Sequence, residues 1–298
     1  MKLIVFGGRG FIGSNLIQRL ERREGLELFA PSSQAVDLRD GDALENYCAA
    51  LRPDAVVNLA GSSFAGAGAD YQTLFQVNAF GQFNLLRCLR KIGFAGRMLF
   101  ASSANVYGSG QQRVAFCEAQ ALAPMNEYGC SKALAEHFCG LFKHDFPVCI
   151  ARPFNCIGRG QKSQFLIPKI ARAFAEASPV LELGNLSIER DYLDVRDAAG
   201  MLEALLFNET FPAKVNLAAN ETHSILQIVQ AFADIAGREL KVVVNPEFIR
   251  PNDLIYQRGL DQVIRSCGYQ KHYDLKTTLR WIYRAADEQR QQGQGKLN

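Results

Sequence analysis

The stretch Lys2–Gly13, KLIVFGGRGFIG, decides how the rest of the chain is read. Leu3-Ile4-Val5-Phe6 is an unbroken apolar run, too short for a helix, and predicts a strand buried on both faces. Glycines follow at 7, 10 and 13, and SNLIQRLERR (14–23) opens an amphipathic helix. Gly7 lets the chain turn sharply off the strand, Gly10 lets a phosphate approach the backbone, and Gly13 lets helix and strand pack closely. The free N–H groups and positive end of the helix then face the phosphate. A glycine triplet alone is weak evidence. Strand before and helix after make it a nucleotide-binding βα unit.

The 298 residues can hold one large α/β domain with an appendage, or two domains. With 48% hydrophobic and 21% charged residues, the composition is that of an ordinary globular protein. The net charge of +3 is too small to argue for nucleic acid or a membrane as partner, so phosphate binding should be local. The eight cysteines (48, 88, 117, 130, 139, 149, 156 and 267) include no CxxC pair and read as reduced, mostly buried thiols in a cytoplasm. No metal site is expected. No secretory signal fits the four apolar residues before Gly7, and no apolar run approaches membrane-spanning length.

Leu26–Ala30 predicts a second strand ending at Pro31-Ser32-Ser33. A site built for NAD places Asp or Glu at this tip to bond the ribose 2′-hydroxyl, yet no carboxylate follows until Asp37. Arg9 in the glycine loop could meet a 2′-phosphate or simply face solvent; together these features favour NADP over NAD. Ser33–Asp37 is too short for a helix, which sets Val36-Asp37-Leu38 against the adenine. The cofactor-binding set is therefore Gly7, Arg9, Gly10, Phe11, Ile12, Ser32, Asp37, Leu38, Leu59 and Ala60, joined by Tyr128 and Lys132 below. A helix over 40–51 with Asp40 as N-cap and a strand over 55–60 continue the βα rhythm, which predicts a parallel sheet with right-handed crossovers.

A long helix over 70–92 contains Asn78, which either bonds the preceding loops or is merely solvated. Arg97–Ala101 predicts a fourth strand running into Ser102-Ser103, and strand C-termini are where such sheets bind ligands. The next helix begins near Asn126 and carries Tyr128 and Lys132, one turn apart on one face. A neighbouring ammonium lowers a phenol's pKa toward working pH, making it a usable acid. A fifth strand over 146–151 turns out through Arg152-Pro153-Phe154-Asn155. Beyond it the reading is a helix over 165–177, a strand over 180–183, a polar loop over 189–194, a helix over 195–206, a sixth strand over 214–217, and helices over 223–236 and 275–289. The fold class is thus α/β, a Rossmann-type doubly wound parallel sheet with a smaller C-terminal substrate-binding lobe. Residues 1–154, with 192–222 returning to the sheet, form the dinucleotide domain; 155–191 and 223–290 form the lobe, and 291–298 a disordered tail.

The ordered set Gly7/Gly10/Gly13, Ser102-Ser103, Tyr128-xxx-Lys132 and Arg152-Pro153-Phe154-Asn155 resembles the extended short-chain dehydrogenase/reductase superfamily. NLSIERDYLDVRD (185–197) and RPND (250–253) narrow the resemblance to its nucleotide-sugar-modifying enzymes. ARPFNCIGRGQ (151–161) is most similar to the GDP-6-deoxy-D-mannose reductases, although Cys156 and Arg159 stand where those have His and Pro. The resemblance implies Tyr128 as general acid, Lys132 as its partner on the nicotinamide ribose, and Ser103 as the serine nearest the carbonyl, with Ser102 as the fallback. It implies Asn155, Arg190 and Arg250 as substrate ligands, the arginines gripping a diphosphate. It also implies a homodimer through the helices over 70–92 and 128–144.

After Ser103 the chain has Ala104-Asn105, so the carboxylate that sugar-nucleotide 4,6-dehydratases place there is missing. The cysteine used by the epimerising GDP-fucose synthases is replaced by Ala104. A Ser/Tyr/Lys set suffices for one hydride and one proton transfer. The expected activity is NADPH-dependent reduction at C4 of a nucleotide-linked 4-keto-6-deoxyhexose. A 4-epimerase holding NAD is the alternative, and a non-catalytic sensor is a third, opposed by the intact Tyr128/Lys132 pair.

Overall fold

The computed structural model describes residues 1–62, 70–109, 113–249 and 253–294. Its centre is a six-stranded parallel sheet built from β1 (Lys2–Phe6), β2 (Glu27–Phe29), β3 (Ala55–Asn58), β4 (Arg97–Ala101), β5 (Val148–Pro153) and, much later, β10 (Lys214–Leu217). The order across the sheet is β10-β5-β4-β3-β1-β2. All five pairings are parallel, as the βα rhythm predicts. The order reverses beside β1, whose neighbours are β2 and β3; the C-terminal ends of strands at such a switch point are where open α/β sheets bind ligands.

The apolar run of β1 is unbroken because both faces are covered. Leu3 and Val5 pack with Leu16 and Leu20 of α1 (Phe11–Leu20) and Leu202 of α7 (Val195–Phe207). Ile4 and Phe6 pack on the other side with Leu44 of α2 (Gly41–Leu51), Leu85 of α4 (Gly81–Lys91) and Cys139 of α5 (Glu127–Leu141). Asp40 caps α2 by accepting from the amides of Asp42 and Ala43, and Asn126 caps α5 by accepting from Gly129. The glycines act as expected: Gly7 has φ +77°, and a Cβ there would overlap the backbone of Ala60, while a Cβ on Gly13 would overlap the carbonyl of Gly7.

The rest of the chain has its own core. Here α6 (Leu166–Ala175), α8 (Ile225–Ala236) and α10 (Leu275–Gln294) bury Ile170, Phe174, Ile228, Phe232 and Leu279. Short strands complete it: β6 (Asn155–Ile157) pairs with β9 (Tyr192–Asp194), and β7 (Val180–Leu183) with β12 (Lys241–Val244). β8 (Glu189–Arg190) lies between β11 (His223–Ser224) and β13 (Tyr256–Gln257), and α9 (Gln262–Ser266) follows.

Four expectations are corrected. The expected polar loop at 189–194 is β8 and β9, whose partners lie more than thirty residues away and leave no local trace. His223-Ser224 is a strand before the helix, because Ser224 is its N-cap in a reciprocal bond with Gln227. Of the tail expected to be disordered over 291–298, residues 291–294 continue α10, with Gln291 bonded to the carboxylate of Asp287 at 2.8 Å, and 295–298 lie outside the described residues. The long helix begins at Tyr71, after the cap Asp70, as α3 (Tyr71–Phe75), passes through a π-helical turn at Gln76–Phe80, and resumes as α4.

Gly13→Ala is expected to cost roughly 1–3 kcal/mol by overpacking α1 against the glycine turn, and to abolish NADPH binding. Thermal melting and a fluorescence titration check this; an alanine variant that melts and binds like the parent would contradict the close approach.

Candidate active site

The expected cofactor residues follow the C-terminal ends of β1, β2 and β3. Helix α1 starts from Gly10 with no acid in its first turn and no side-chain cap among the described residues. The amides of Phe11 and Ile12 at its start are therefore open to an anion. Arg9 and Gly10 are exposed, and Leu59 and Ala60 are half-buried at the end of β3. Ser32 closes a turn, its carbonyl accepting from the amides of Ala35 and Val36. This turn replaces the helix excluded by the short connection. Leu38 is buried, and Asp37 is gripped by a partner that the sequence reading missed: Arg39 Nη2 lies 2.6 Å from its Oδ2. The Arg39 hydrogen bond holds the Asp37 carboxyl below the ordinary carboxylate range.

At the C-terminus of β4 the two serines part. Ser102 Oγ donates to Glu136 Oε1 at 2.5 Å, beneath the site. Ser103 is extended (φ −162°, ψ 151°), caps the 3-10 turn Ala104–Tyr107 by accepting from the Asn105 amide, and lies near enough to Tyr128 to lower its pKa. Of the two serines, Ser103 is the one that acts on the Tyr128 phenol. Burial raises the Tyr128 pKa, and Ser103 only partly offsets that. This departs from the expectation that the ammonium would dominate. Lys132 instead donates from Nζ to the carbonyl of Ala101 at 2.9 Å and lies 5.0 Å from the Phe100 ring centre. Burial pushes its pKa down to about 8.

Asn78 does bond the preceding loop. Its Oδ1 accepts from the Ser62 amide, and its Nδ2 donates to the Ser62 carbonyl and to Ser131 Oγ. It sits in the π-helical turn, whose extra residue no sequence pattern announces.

On the far side, Asn155 donates from its backbone and from Nδ2 to the Asp191 carbonyl, each at 3.1 Å. Arg190 is largely buried, with one bond to the Glu189 carbonyl and Asp253 at 3.9 Å; burial lowers its pKa to about 10. Asp191 does not pair with it. The fully buried Asp191 carboxylate accepts from the amides of Ala219 (2.8 Å), Asn220 (3.0 Å) and Gly259 (3.2 Å), joining three segments. Burial still raises its pKa to about 7. Cys156 lies close enough to push the Tyr128 pKa up, and burial raises its own to about 12. Arg250 lies outside the described residues.

Residues 3–218 match the "NAD dependent epimerase/dehydratase" family, to the end of β10. The chain is 32% identical over 257 residues to a GDP-6-deoxy-D-talose 4-dehydrogenase of Aggregatibacter actinomycetemcomitans, covering 85% of this chain and 86% of that one. It is also 32% identical over 292 residues to a GDP-6-deoxy-D-mannose reductase of Pseudomonas aeruginosa, covering 94% and 95%. A solved structure of RMD from Pseudomonas aeruginosa complexed with NADPH superposes with a TM-score of 0.86 at 31% identity, covering 97% and 99%. The protein belongs to the NAD dependent epimerase/dehydratase family. Enzymes of this family use NAD(P) to modify nucleotide sugars, and the glycine turn with its uncapped helix fits such a cofactor. No helix among the described residues is long and apolar enough to cross a membrane.

The Asp191 pKa of about 7 against 3.8 unfolded has a definite sign. The folded state binds the extra proton between these values, so this group's stabilisation is complete below about pH 4 and is lost as pH rises to about 7. Urea midpoints of wild type and Asp191→Asn at pH 5 and pH 8 should show the parent losing ground to the variant at the higher pH. A pH-independent difference would contradict it.

Proposed function

We propose that the protein reduces the C4 keto group of a GDP-linked 4-keto-6-deoxyhexose, with NADPH as reductant. The observation that carries this reading is the Ser103–Tyr128 contact beside buried Lys132, with Ala104 and Asn105 next in the chain instead of an acid or a thiol. This set can move one proton but has no base for elimination or for epimerising the carbons flanking the ketone. The bound dinucleotide would supply the hydride. Tyr128 gives its proton to the alkoxide oxygen, Ser103 donates a hydrogen bond to the same oxygen, and Lys132 holds positive charge against the phenolate left behind. Asn155 and Arg190 orient the sugar and diphosphate, with Arg250 as a second cation.

The two relatives named above support the GDP-linked 6-deoxyhexose. Talose and mannose differ at C4, so these names span both configurations of the product. NADPH is supported by the engagement of Asp37: its carboxylate is bound by Arg39 and not free for a ribose hydroxyl, while Arg9 is exposed on the phosphate side. The family's name keeps a second reading open, a 4-epimerase holding NAD. We assign the protein to the cytoplasm and to a homodimer through the helices over 70–92 and 128–144, where Phe80 of the π-helical turn and Leu141 of α5 are 43% and 68% exposed.

A panel of GDP-, dTDP-, UDP- and CDP-4-keto-6-deoxyhexoses, followed by NADPH consumption and NMR of the product, tests the reading. Turnover with the GDP compound alone is expected; stoichiometric NAD released on denaturation would favour the epimerase. Tyr128→Phe should lower kcat by roughly 10²–10⁴ with cofactor affinity near wild type, and retained turnover would remove Tyr128 as the acid. Arg9→Ala should weaken NADPH more than NADH, whereas equal losses would make Arg9 a solvent-facing residue.

A further inference from the structure

Tyr128, Lys132 and Glu136 recur every fourth residue along α5, so they share a face. Glu136 is 5% exposed and belongs to none of the binding roles above. Its carboxylate accepts three bonds: from Arg152 Nε at 2.9 Å, from Arg152 Nη2 at 2.6 Å and from Ser102 Oγ at 2.5 Å. Arg152, fully buried on β5, donates from Nη1 to Tyr107 Oη at 2.7 Å and to the Glu118 carbonyl at 3.1 Å. Tyr107 Oη donates in turn to Asn216 Oδ1 of β10 at 2.7 Å. One carboxylate therefore ties α5 to the ends of β4 and β5 and, through Arg152, to the 3-10 turn that follows the serines.

Adjacent residues of an extended chain project to opposite sides. With Ser102 bound downward to Glu136, Ser103 must face upward. A serine pair without that bond could present either hydroxyl to the phenol.

We propose that the Glu136–Arg152 pair is a positioning device for the reaction, holding Ser102 out of the site and thereby Ser103 against Tyr128. The proposal rests on the reductase reading for its catalytic consequence, but its geometry can be read without substrate. Glu136 also faces Lys132 and raises its pKa against burial. The other groups acting on that ammonium are Cys139 on α5 and the Ala101 carbonyl and Phe100 ring from β4, with Asn78 Oδ1 of the π-helical turn close by at Gly61; Tyr128 shares its helix face, and Arg152 of β5 is engaged by Glu136. Among the described residues, Glu136 is the one carboxylate acting on Lys132.

Two substitutions should then act in distinguishable ways. Ser102→Ala keeps the ion pair but frees the serine register. It should lower kcat roughly ten- to hundredfold with KM little changed. It should also move the Tyr128 titration to higher pH, because the Ser103 effect that favours the phenolate is weakened. Glu136→Gln keeps an acceptor for Ser102 but removes the charge. By breaking the pair it should lower kcat as Ser102→Ala does, and it should in addition move the basic limb of the pH profile to lower pH as Lys132 loses its proton earlier, which Ser102→Ala should not. Since Glu136→Gln strands a buried guanidinium, Glu136→Gln/Arg152→Met serves if the single variant does not fold. Tyrosinate absorbance, taken as the difference from Tyr128→Phe, reads the Ser102 effect even if no ketone is reduced, so failure of the substrate reading stays separate. Ser102→Ala with an unmoved Tyr128 titration would overturn the proposal. So would variants that only melt earlier while keeping the parent's pH profile.

Discussion

The interaction on which the site depends is an ion pair kept from water. Arg152 is fully buried and Glu136 nearly so, and each loses several kcal/mol of hydration on folding. That cost is met because the carboxylate accepts three bonds and the guanidinium donates four, so little polar capacity is left unused. Breaking one partner of such a pair costs about 3–5 kcal/mol because the other is left charged and alone. The arrangement is consequently all-or-none. Strand β4, strand β5 and helix α5 are either docked together or the whole region is unstable.

The glycine turn after β1 rests on a different constraint, the absence of side chains. Where Gly7 meets Ala60 and Gly13 meets Gly7 there is no room for even a methyl group, so α1 sits unusually close to β1. Close packing sets the uncapped helix start beside the C-terminal end of β1, while the ion pair joins α5, which carries Tyr128 and Lys132, to the ends of β4 and β5. Between them, burial pushes the Lys132 pKa down to about 8 and raises that of Tyr128. Two groups whose ordinary values differ little are thereby driven apart, the usual condition for assigning one as acid and the other as lasting charge.

Much of this was legible in the chain because it is local. The six sheet strands, the caps Asp40 and Asn126, the glycine turn and the one-turn spacing of Tyr128 and Lys132 are all written within a few residues of one another. What escaped is non-local. Glu136 reads as a charged residue on an amphipathic helix until Arg152, sixteen residues on, is brought beneath it. Asp191 reads as a loop acid until three amides from 219, 220 and 259 converge on it. Two-residue strands such as β8 and β11 have no periodicity at all, and the π-helical turn at Gln76–Phe80 has no compositional mark.

The place of β10 sets the order in which this molecule can be made. Its neighbour in the sheet is β5, yet the segment 154–213 is synthesised between them. Until residues 214–217 emerge from the ribosome, β5 is an open parallel edge and Asn216 is missing as the acceptor for Tyr107. Long-range parallel pairing is slow to form and leaves apolar strands unprotected in the meantime. The nascent chain must therefore carry an unfinished sheet through the synthesis of β6 to β9, α6 and α7, and this edge of the sheet closes only once that detour has been completed.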